Sequence, residues 1–349
     1  MKILGIETSC DETGAAIIHV TQNNTINLLS NVVSSSLVLH SKTGGIIPEV
    51  AAREQVKYII PAIDKAIKDS NLTIEEIDAI GVTVGPGLIG SLLVGVETAK
   101  TLAYLWKKPL IPVNHLIGHI YANFISKMNN EPLTINFPAI ALIVSGGHTD
   151  LVLISNHQKI KWLGGTRDDA AGEAFDKIGR LLGIPYPAGA ETERLAKNGN
   201  KEAFTFPRPM IYSKDFDFSF SGLKTAVWRE TKTIGKLASP AGGFDNKTIS
   251  DICACVQQAI IDVLIKKTLD AAQKYKVKSI LLGGGVAANQ KLRDELKLKI
   301  VNCKLKIPFF APEKWLCTDN AAMIATAAFF NYKEVAWQKI TANPELYFE

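Results

Sequence analysis

Apolar runs and glycine-bearing polar turns alternate along the chain in a repeated order. Near the start, Ile3-Leu4-Gly5-Ile6 is followed by the polar stretch Glu7-Thr8-Ser9-Cys10-Asp11-Glu12-Thr13 and then by Ala15-Ala16-Ile17-Ile18. An apolar run, a tight polar turn and a second apolar run predict a β-hairpin. The same grammar returns at Ala139 to Ile154, with Ser145-Gly146-Gly147-His148-Thr149 as the turn. Each hairpin is followed further along by a strand that runs through glycines into a helix. In the first half this is Ala79 to Leu92, around Gly85-Pro86-Gly87; in the second it is Ser279 to Arg293, around Gly283-Gly284-Gly285. Between the second hairpin and the last glycine turn, Asp168 to Ile252 has mostly helical spacing with irregular loops. Two hairpins of one design, a domain-length apart, predict two related α/β lobes. A chain of 349 residues is also too long for one ordinary core. The expected division is an N-terminal lobe over 1–135 and a C-terminal lobe over 136–325 with a helical insertion at about 168–252. A last helix and tail, 326–349, would pack back on the first lobe.

Composition adds bounds. The chain is 47% hydrophobic and 21% charged, with net charge +5. That describes a globular protein that tolerates a polyanionic partner without demanding one. The five cysteines form no Cys-x-x-Cys pair, and an odd number fits a reducing compartment better than a disulfide framework. The uncharged run Ile80 to Val96 approaches membrane-span length, but its glycines and Pro86 break it into strand, loop and helix. No secretory signal opens the chain, so the expectation is a cytoplasmic protein without a membrane contact.

The candidate chemistry sits at the breaks in this pattern. His115-Leu116-Ile117-Gly118-His119 places two imidazoles four residues apart, on one face of a helix capped by Asn114. They supply two corners of a metal site. The helical zinc-protease motif carries its general base beside the first histidine, where this chain has Leu116, so that chemistry is excluded. Asp319, at the polar start of an apolar helix, is either a helix cap or the third ligand. The first hairpin tip offers Asp11 and Glu12, as solvated acids or as groups facing a metal or a proton. Glycines at the second tip would admit phosphate oxygens to backbone N–H groups. Asp176 is either a salt-bridged acid or a ligand contact, and Asn289, at a glycine-rich helix start, can reach a base or ribose. The dense stretch Phe216 to Thr225 is either a packed loop or a site.

The motifs Gly5-Ile6-Glu7-Thr8-Ser9-Cys10-Asp11-Glu12-Thr13, Gly85-Pro86-Gly87-Leu88, His115 with His119, Val144-Ser145-Gly146-Gly147-His148-Thr149, Gly172-Glu173-Ala174-Phe175-Asp176-Lys177, Asp217 to Lys224, Gly284 to Asn289 and Cys317-Thr318-Asp319-Asn320 occur in one order. In that order the chain resembles the bacterial tRNA N6-adenosine threonylcarbamoyltransferases, the TsaD family, formerly called glycoproteases. The resemblance runs almost end to end. It implies an α/β actin-like ATPase fold, shared by sugar kinases, chaperones and actin, with two ribonuclease-H-like lobes and a nucleotide cleft between them. It implies transfer of a threonylcarbamoyl group from threonylcarbamoyl-AMP to N6 of the adenosine at position 37, beside the anticodon, in tRNAs that read ANN codons. Carried over by motif, His115, His119 and Asp319 would bind one Fe2+ or Zn2+. Ile143, Val144, Ser145, Gly146, Gly147, Asp176, Gly189, Glu193 and Asn289 would hold the adenylate, and ATP or ADP in the same place. Asp11 or Glu12 is the candidate proton acceptor. The implied partners are tRNA, a paralogous inactive TsaB-like subunit as heterodimer, and a small TsaE-like P-loop ATPase.

Several positions depart from the family pattern. Ile117 replaces a Glu between the histidines, and Thr43 and Gln55 replace a Tyr and a His around Gly44 to Arg53. The Pro-Gly-Gly-Pro loop becomes Pro187-Ala188-Gly189-Ala190, and Glu193 stands where the family often has Asp. Two readings compete with the transferase. A small-molecule kinase of the same fold leaves the paired histidines unexplained, and a non-enzymatic nucleotide switch would hydrolyse without transfer. Lys297, Lys299, Lys304 and Lys306, and Lys224, Arg229, Lys232 and Lys236, are basic clusters that either track tRNA phosphates or form solvated faces.

Overall fold

The computed structural model describes residues 1–126, 135–237 and 244–348, with side chains except at 235–237. Lys236 of the second basic cluster therefore lies outside the described side chains. The chain divides into two compact units: residues 1–136, 155–160 and 312–349, and residues 137–154 with 161–311.

Unit 1 opens with the first expected hairpin, β1 (Lys2–Glu7) and β2 (Glu12–Val20), antiparallel from Lys2 opposite His19 to Glu7 opposite Gly14. β3 (Ile26–Ser35) continues the meander on β2. After α1 (Leu37–Thr43) and α2 (Pro48–Asp69), β4 (Ala79–Gly85) pairs parallel with β1. α3 (Ile89–Trp106) then leads to β5 (Leu110–Asn114), parallel to β4, and to the short α4 (His115–Tyr121). The order is β3-β2-β1-β4-β5. Because side chains alternate along a strand, Leu4, Ile6, Ala15, Ile17, Ile80 and Val82 share the face that packs on α2 and α3.

Unit 2 repeats this plan. β6 (Ala139–Val144), β7 (Thr149–Asn156) and β8 (Lys159–Gly165) form the meander of the second sheet. The helices α5 (Ala171–Leu181), α6 (Ala188–Ala196), α7 (Ser221–Leu237) and α8 (Asn246–Lys274) follow. β9 (Ser279–Gly283) adds parallel to β6, α9 (Gln290–Asn302) returns, and β10 (Phe309–Phe310) pairs parallel with β9. Read from the meander outward, both sheets have the same 3-2-1-4-5 arrangement, so the two similar hairpins do head two similar α/β units. α8 starts at Asn246 and runs to Lys274, past the position 252 at which the sequence placed the end of the helical segment. Among the described residues it is the one helix long and apolar enough to cross a membrane. With 78% of its most apolar stretch buried, it is a core helix.

The last helix, α10 (Ala321–Phe330), belongs to unit 1, and residues from Pro312 onward join it there. The sequence division instead kept 312–325 with the second lobe. α10 packs on the sheet face opposite α2 and α3 because two glycines stand side by side there. Gly5 and Gly81 are register partners on β1 and β4. A Cβ on Gly5 would lie 2.2 Å from the Ala321 carbonyl oxygen, and one on Gly81 would lie 2.7 Å from Ala328 Cβ. Small residues on the helix (Ala321, Ala325, Ala328) complete this close approach. Gly118 on α4 does the same, since a Cβ there would meet Ile324 Cδ1 at 2.8 Å.

Candidate metal centre and glycine-loop site

That packing sets the distance between α4 and the turn before α10. Asn114 caps α4 by accepting from the N–H groups of Leu116 (2.8 Å) and Ile117 (3.3 Å). Asn320 caps α10 by accepting from Met323 N–H at 3.0 Å, so the cap expected of Asp319 is made by its neighbour. Asp319 is instead turned to the histidines. Its Oδ1 lies 3.5 Å from His115 Nε2 and 3.2 Å from His119 Nε2. One ligand atom from each of the three residues lies within 4.8 Å of the others. Tetrahedral ligands about 2.0–2.1 Å from a zinc ion sit roughly 3.3 Å apart, which matches both separations. His119 is fully buried, its Nε2 faces only Asp319, and its Nδ1 has no hydrogen-bond partner among the described residues. Orphaned imidazole nitrogens are costly in a core unless something else takes their lone pair. The three side chains therefore form a group fitted to a single metal ion.

The electrostatics of the group are divided. Burial alone would lower His115, but Asp319 and Glu7 together push it up to about 9. Burial, reinforced by His115, holds His119 below its ordinary value despite Asp319. The first hairpin tip beside them is buried, contrary to a solvated surface turn: Thr8, Ser9, Asp11 and Thr13 are all buried. Burial first, then Asp319 and Asp11, lifts the Glu12 carboxyl well above the usual range. The Cys10 thiol is raised as well, by burial first and then by Asp319 and Asp11, which disfavours its thiolate. The tip is held from below by Gln55, whose Nε2 donates to the carbonyls of Cys10 and Glu12, both at 3.0 Å, with Thr8 O at 3.5 Å.

Unit 2 holds the other expected residues. Ile143 and Val144 end β6 in the core, and Ser145 N–H donates to His148 O (2.8 Å) to close the turn. A Cβ on Gly146 or Gly147 would meet nothing within 4 Å, as also at Gly189 and Gly285. Gly284 is different. At φ +90°, with a Cβ position 2.4 Å from Val144 O, it lets the turn after β9 press against β6. The polar residues lie at helix starts. Asp176 accepts from Ala188 N–H (2.7 Å) at the start of α6, and burial raises its pKa. Glu193 accepts from Gln290 N–H (2.9 Å) at the start of α9. Asn289 caps α9 through Leu292 N–H (2.9 Å) and donates to Gln257 (2.8 Å). One N–H of its amide is thus left to meet a ligand. A cavity of about 350 Å³ is lined by Glu193, Lys197, Gln257 and Gln290. Ala188 to Ala190, where the sequence suggested a loosened loop, form the first turn of α6.

Of the stretch Phe216 to Thr225, residues 216–220 are a packed loop and 221–225 begin α7. Phe218 and Phe220 are fully buried, and Asp168 accepts from Ser219 Oγ (2.5 Å), Phe220 N–H (2.8 Å) and Ser221 N–H (3.2 Å). Two residues near the metal group drew no role from the sequence: Glu7 and Thr83. The signal was present, since Glu7 follows an apolar strand directly and Thr83 interrupts another.

The family model described as "TsaD: tRNA N6-adenosine threonylcarbamoyltransferase" matches residues 27–326. A protein of that name from Moorella thermoacetica is 45% identical over 350 residues, 99% of this chain and 96% of the relative. Its namesake from Thermosipho africanus is 47% identical over 334 residues, 96% and 95% of the two chains. Among solved structures, full-length HypF in its phosphate- and nucleotide-bound form superposes with a TM-score of 0.61 at 13% identity. The match covers 96% of this chain and 56% of HypF, and is a likeness of fold.

Proposed function

Since the chain belongs to the TsaD family of tRNA N6-adenosine threonylcarbamoyltransferases, we propose that it moves the threonylcarbamoyl group of threonylcarbamoyl-AMP onto N6 of adenosine 37 in tRNAs that read ANN codons. The observation that carries this at the level of the site is the convergence of His115, His119 and Asp319 within one unit. These three would hold Fe2+ or Zn2+, which when bound supplies Lewis-acid polarisation of substrate oxygens. The carbamoyl-phosphate anhydride is already activated. N6 attacks the carbamoyl carbon, the bond from that carbon to the phosphate oxygen breaks, and AMP leaves with the bonding electrons. The protein's tasks are to orient the two substrates, stabilise the departing phosphate and accept a proton from N6.

The open glycines Gly146 and Gly147, next to Ile143, Val144 and Ser145, suit a close approach of phosphate to backbone N–H groups. Asp176, Gly189, Glu193 and Asn289 serve the ribose and base. Asp11 or Glu12 at the first tip accepts the proton, and burial raises the Glu12 carboxyl, which makes it a stronger base once ionised. The chain acts in the cytoplasm on tRNA, with the paralogous TsaB-like subunit and the TsaE-like ATPase as partners, and ATP or ADP can use the adenylate site.

The test is transfer of labelled threonine from threonylcarbamoyl-AMP into unmodified ANN-reading tRNA, with and without the two partner proteins. Wild type is expected to label the tRNA, and His115→Ala to lose the label. A chain that binds the adenylate but labels no tRNA under any combination refutes the transferase.

A further inference from the structure

We propose that Glu7 is a positioning residue for the metal centre: its carboxylate accepts Nδ1–H of His115 and so turns that ring's Nε2 toward His119 and Asp319. This rests on the metal reading above and adds a residue to it.

Glu7 ends β1 and is fully buried. A carboxylate in that position persists only if its oxygens are fully engaged. Its Oε1 accepts from Ser9 N–H at 2.5 Å, and its Oε2 accepts from Thr83 Oγ1 at 2.6 Å. The remaining arc of Oε2 faces His115 Nδ1 at 3.2 Å, and His115 is its one ion-pair partner among the described residues. Ser9 Oγ lies 3.1 Å from the same Nδ1 and, as a hydroxyl, can share that proton as a second acceptor. Both oxygens of Glu7 act as acceptors, from Ser9 and Thr83, so in the neutral ring that can bind a metal Nδ1 carries the hydrogen. The lone pair then belongs to Nε2, the nitrogen that lies 3.5 Å from Asp319 Oδ1. β1 carries Glu7, and the hairpin turn (Ser9) and β4 (Thr83) each fix one contact of the carboxylate. It is therefore a rigid stop rather than a mobile side chain. His119 has no such acceptor on Nδ1. Both histidines sit on α4, and of the two only His115 is oriented through its second ring nitrogen. Outer carboxylates of this kind change metal affinity by about 10–100-fold when removed.

Glu7→Gln is the informative substitution. Ser9 N–H still requires an acceptor, so the amide oxygen takes the Oε1 place and the NH2 group takes that of Oε2. A donor then faces Nδ1, the His115 proton moves to Nε2, and the metal-facing lone pair is lost. The test is Co2+ titration of the chelator-stripped chain, followed by the visible absorption of bound Co2+, with melting of the metal-free protein measured alongside. Wild type is expected to bind one Co2+. Glu7→Gln should bind it about 10–100-fold more weakly, with an altered absorption band and a wild-type melting temperature. Thr83→Val, which removes only the clamp on Oε2, should lose less. If Glu7→Gln and Thr83→Val bind Co2+ like wild type while His115→Ala does not, Glu7 has no positioning role. If His115→Ala also binds like wild type, the metal centre itself is misplaced and the role of Glu7 falls with it. Should Glu7→Gln not fold, Thr83→Val decides: weakened binding supports the role and unchanged binding overturns it.

Discussion

The two hairpins share a topology and almost nothing else. In unit 1 the glycines, Gly5 and Gly14, lie in the strands under α10, and the turn between them is filled with buried carboxylates and hydroxyls. In unit 2 the glycines, Gly146 and Gly147, lie in the turn itself and face open space. Deleting Cβ atoms in strands brings another element close, which gathers side chains into a centre. Deleting them in a turn exposes the backbone, which prepares a place for something from outside. One scaffold thus yields a side-chain site and a main-chain site according to where its glycines fall.

The sharpest way to break this comparison is to add bulk at one glycine in each hairpin. Gly5→Val drives carbon into the Ala321 carbonyl. It is expected to cost about 3 kcal/mol or more, at or beyond the upper end of ordinary overpacking, and to abolish metal binding; chemical denaturation and Co2+ titration read both. Gly146→Ala should change stability by no more than about 0.5 kcal/mol while reducing transfer to tRNA. A large loss of stability at Gly146 would erase the distinction. Next in size is Gln55→Leu, which strips donors from the carbonyls of Cys10 and Glu12 and should destabilise by about 1–3 kcal/mol, with no counterpart in the second hairpin. Asn320→Ala removes the α10 cap for about 1 kcal/mol and lowers metal affinity, because Asp319 is its neighbour.

A separate test is the effect of pH on the metal-free protein. His115 is raised from 6.5 to about 9 in the folded state. Its stabilisation is therefore complete below about pH 6.5 and is lost as pH rises through 9. The difference in melting temperature between wild type and His115→Gln should shrink from pH 6 to pH 10, and a constant difference would contradict the assignment.

Periodicity and glycine placement were enough to read both hairpins, both strand-to-helix turns and the pairing of His115 with His119, because each depends on residues close in sequence. What the sequence left open depends on distant contacts. Whether Asp319 capped its helix or faced the histidines was decided by Asn320 and by glycines on three other elements. The burial of the first tip could not be seen in Asp11 and Glu12 themselves, since the residues that pack on it, Gln55, Gly87, Ser91 and Gly95, lie well along the chain. The return of the tail 326–349 to the first lobe was expected, but nothing local marks 312–325 as part of it, which is why the division at 325 cut α10 in two. Asp176 was legible as an acid on a helix and Asn289 as a polar group at a helix start, but their partners, Ala188 N–H and Gln257, were not.

The placement of α10 also sets an order of events during translation. Both histidines and the glycine-bearing face of the first sheet emerge from the ribosome well before residue 319 is synthesised. Until then that face has nothing to cover it, and the histidines lack their carboxylate. A chain interrupted anywhere in unit 2 carries two-thirds of a metal site and an exposed apolar sheet. Only the finished polypeptide can close the one and hide the other, so the centre is assembled last although its first ligands are made early.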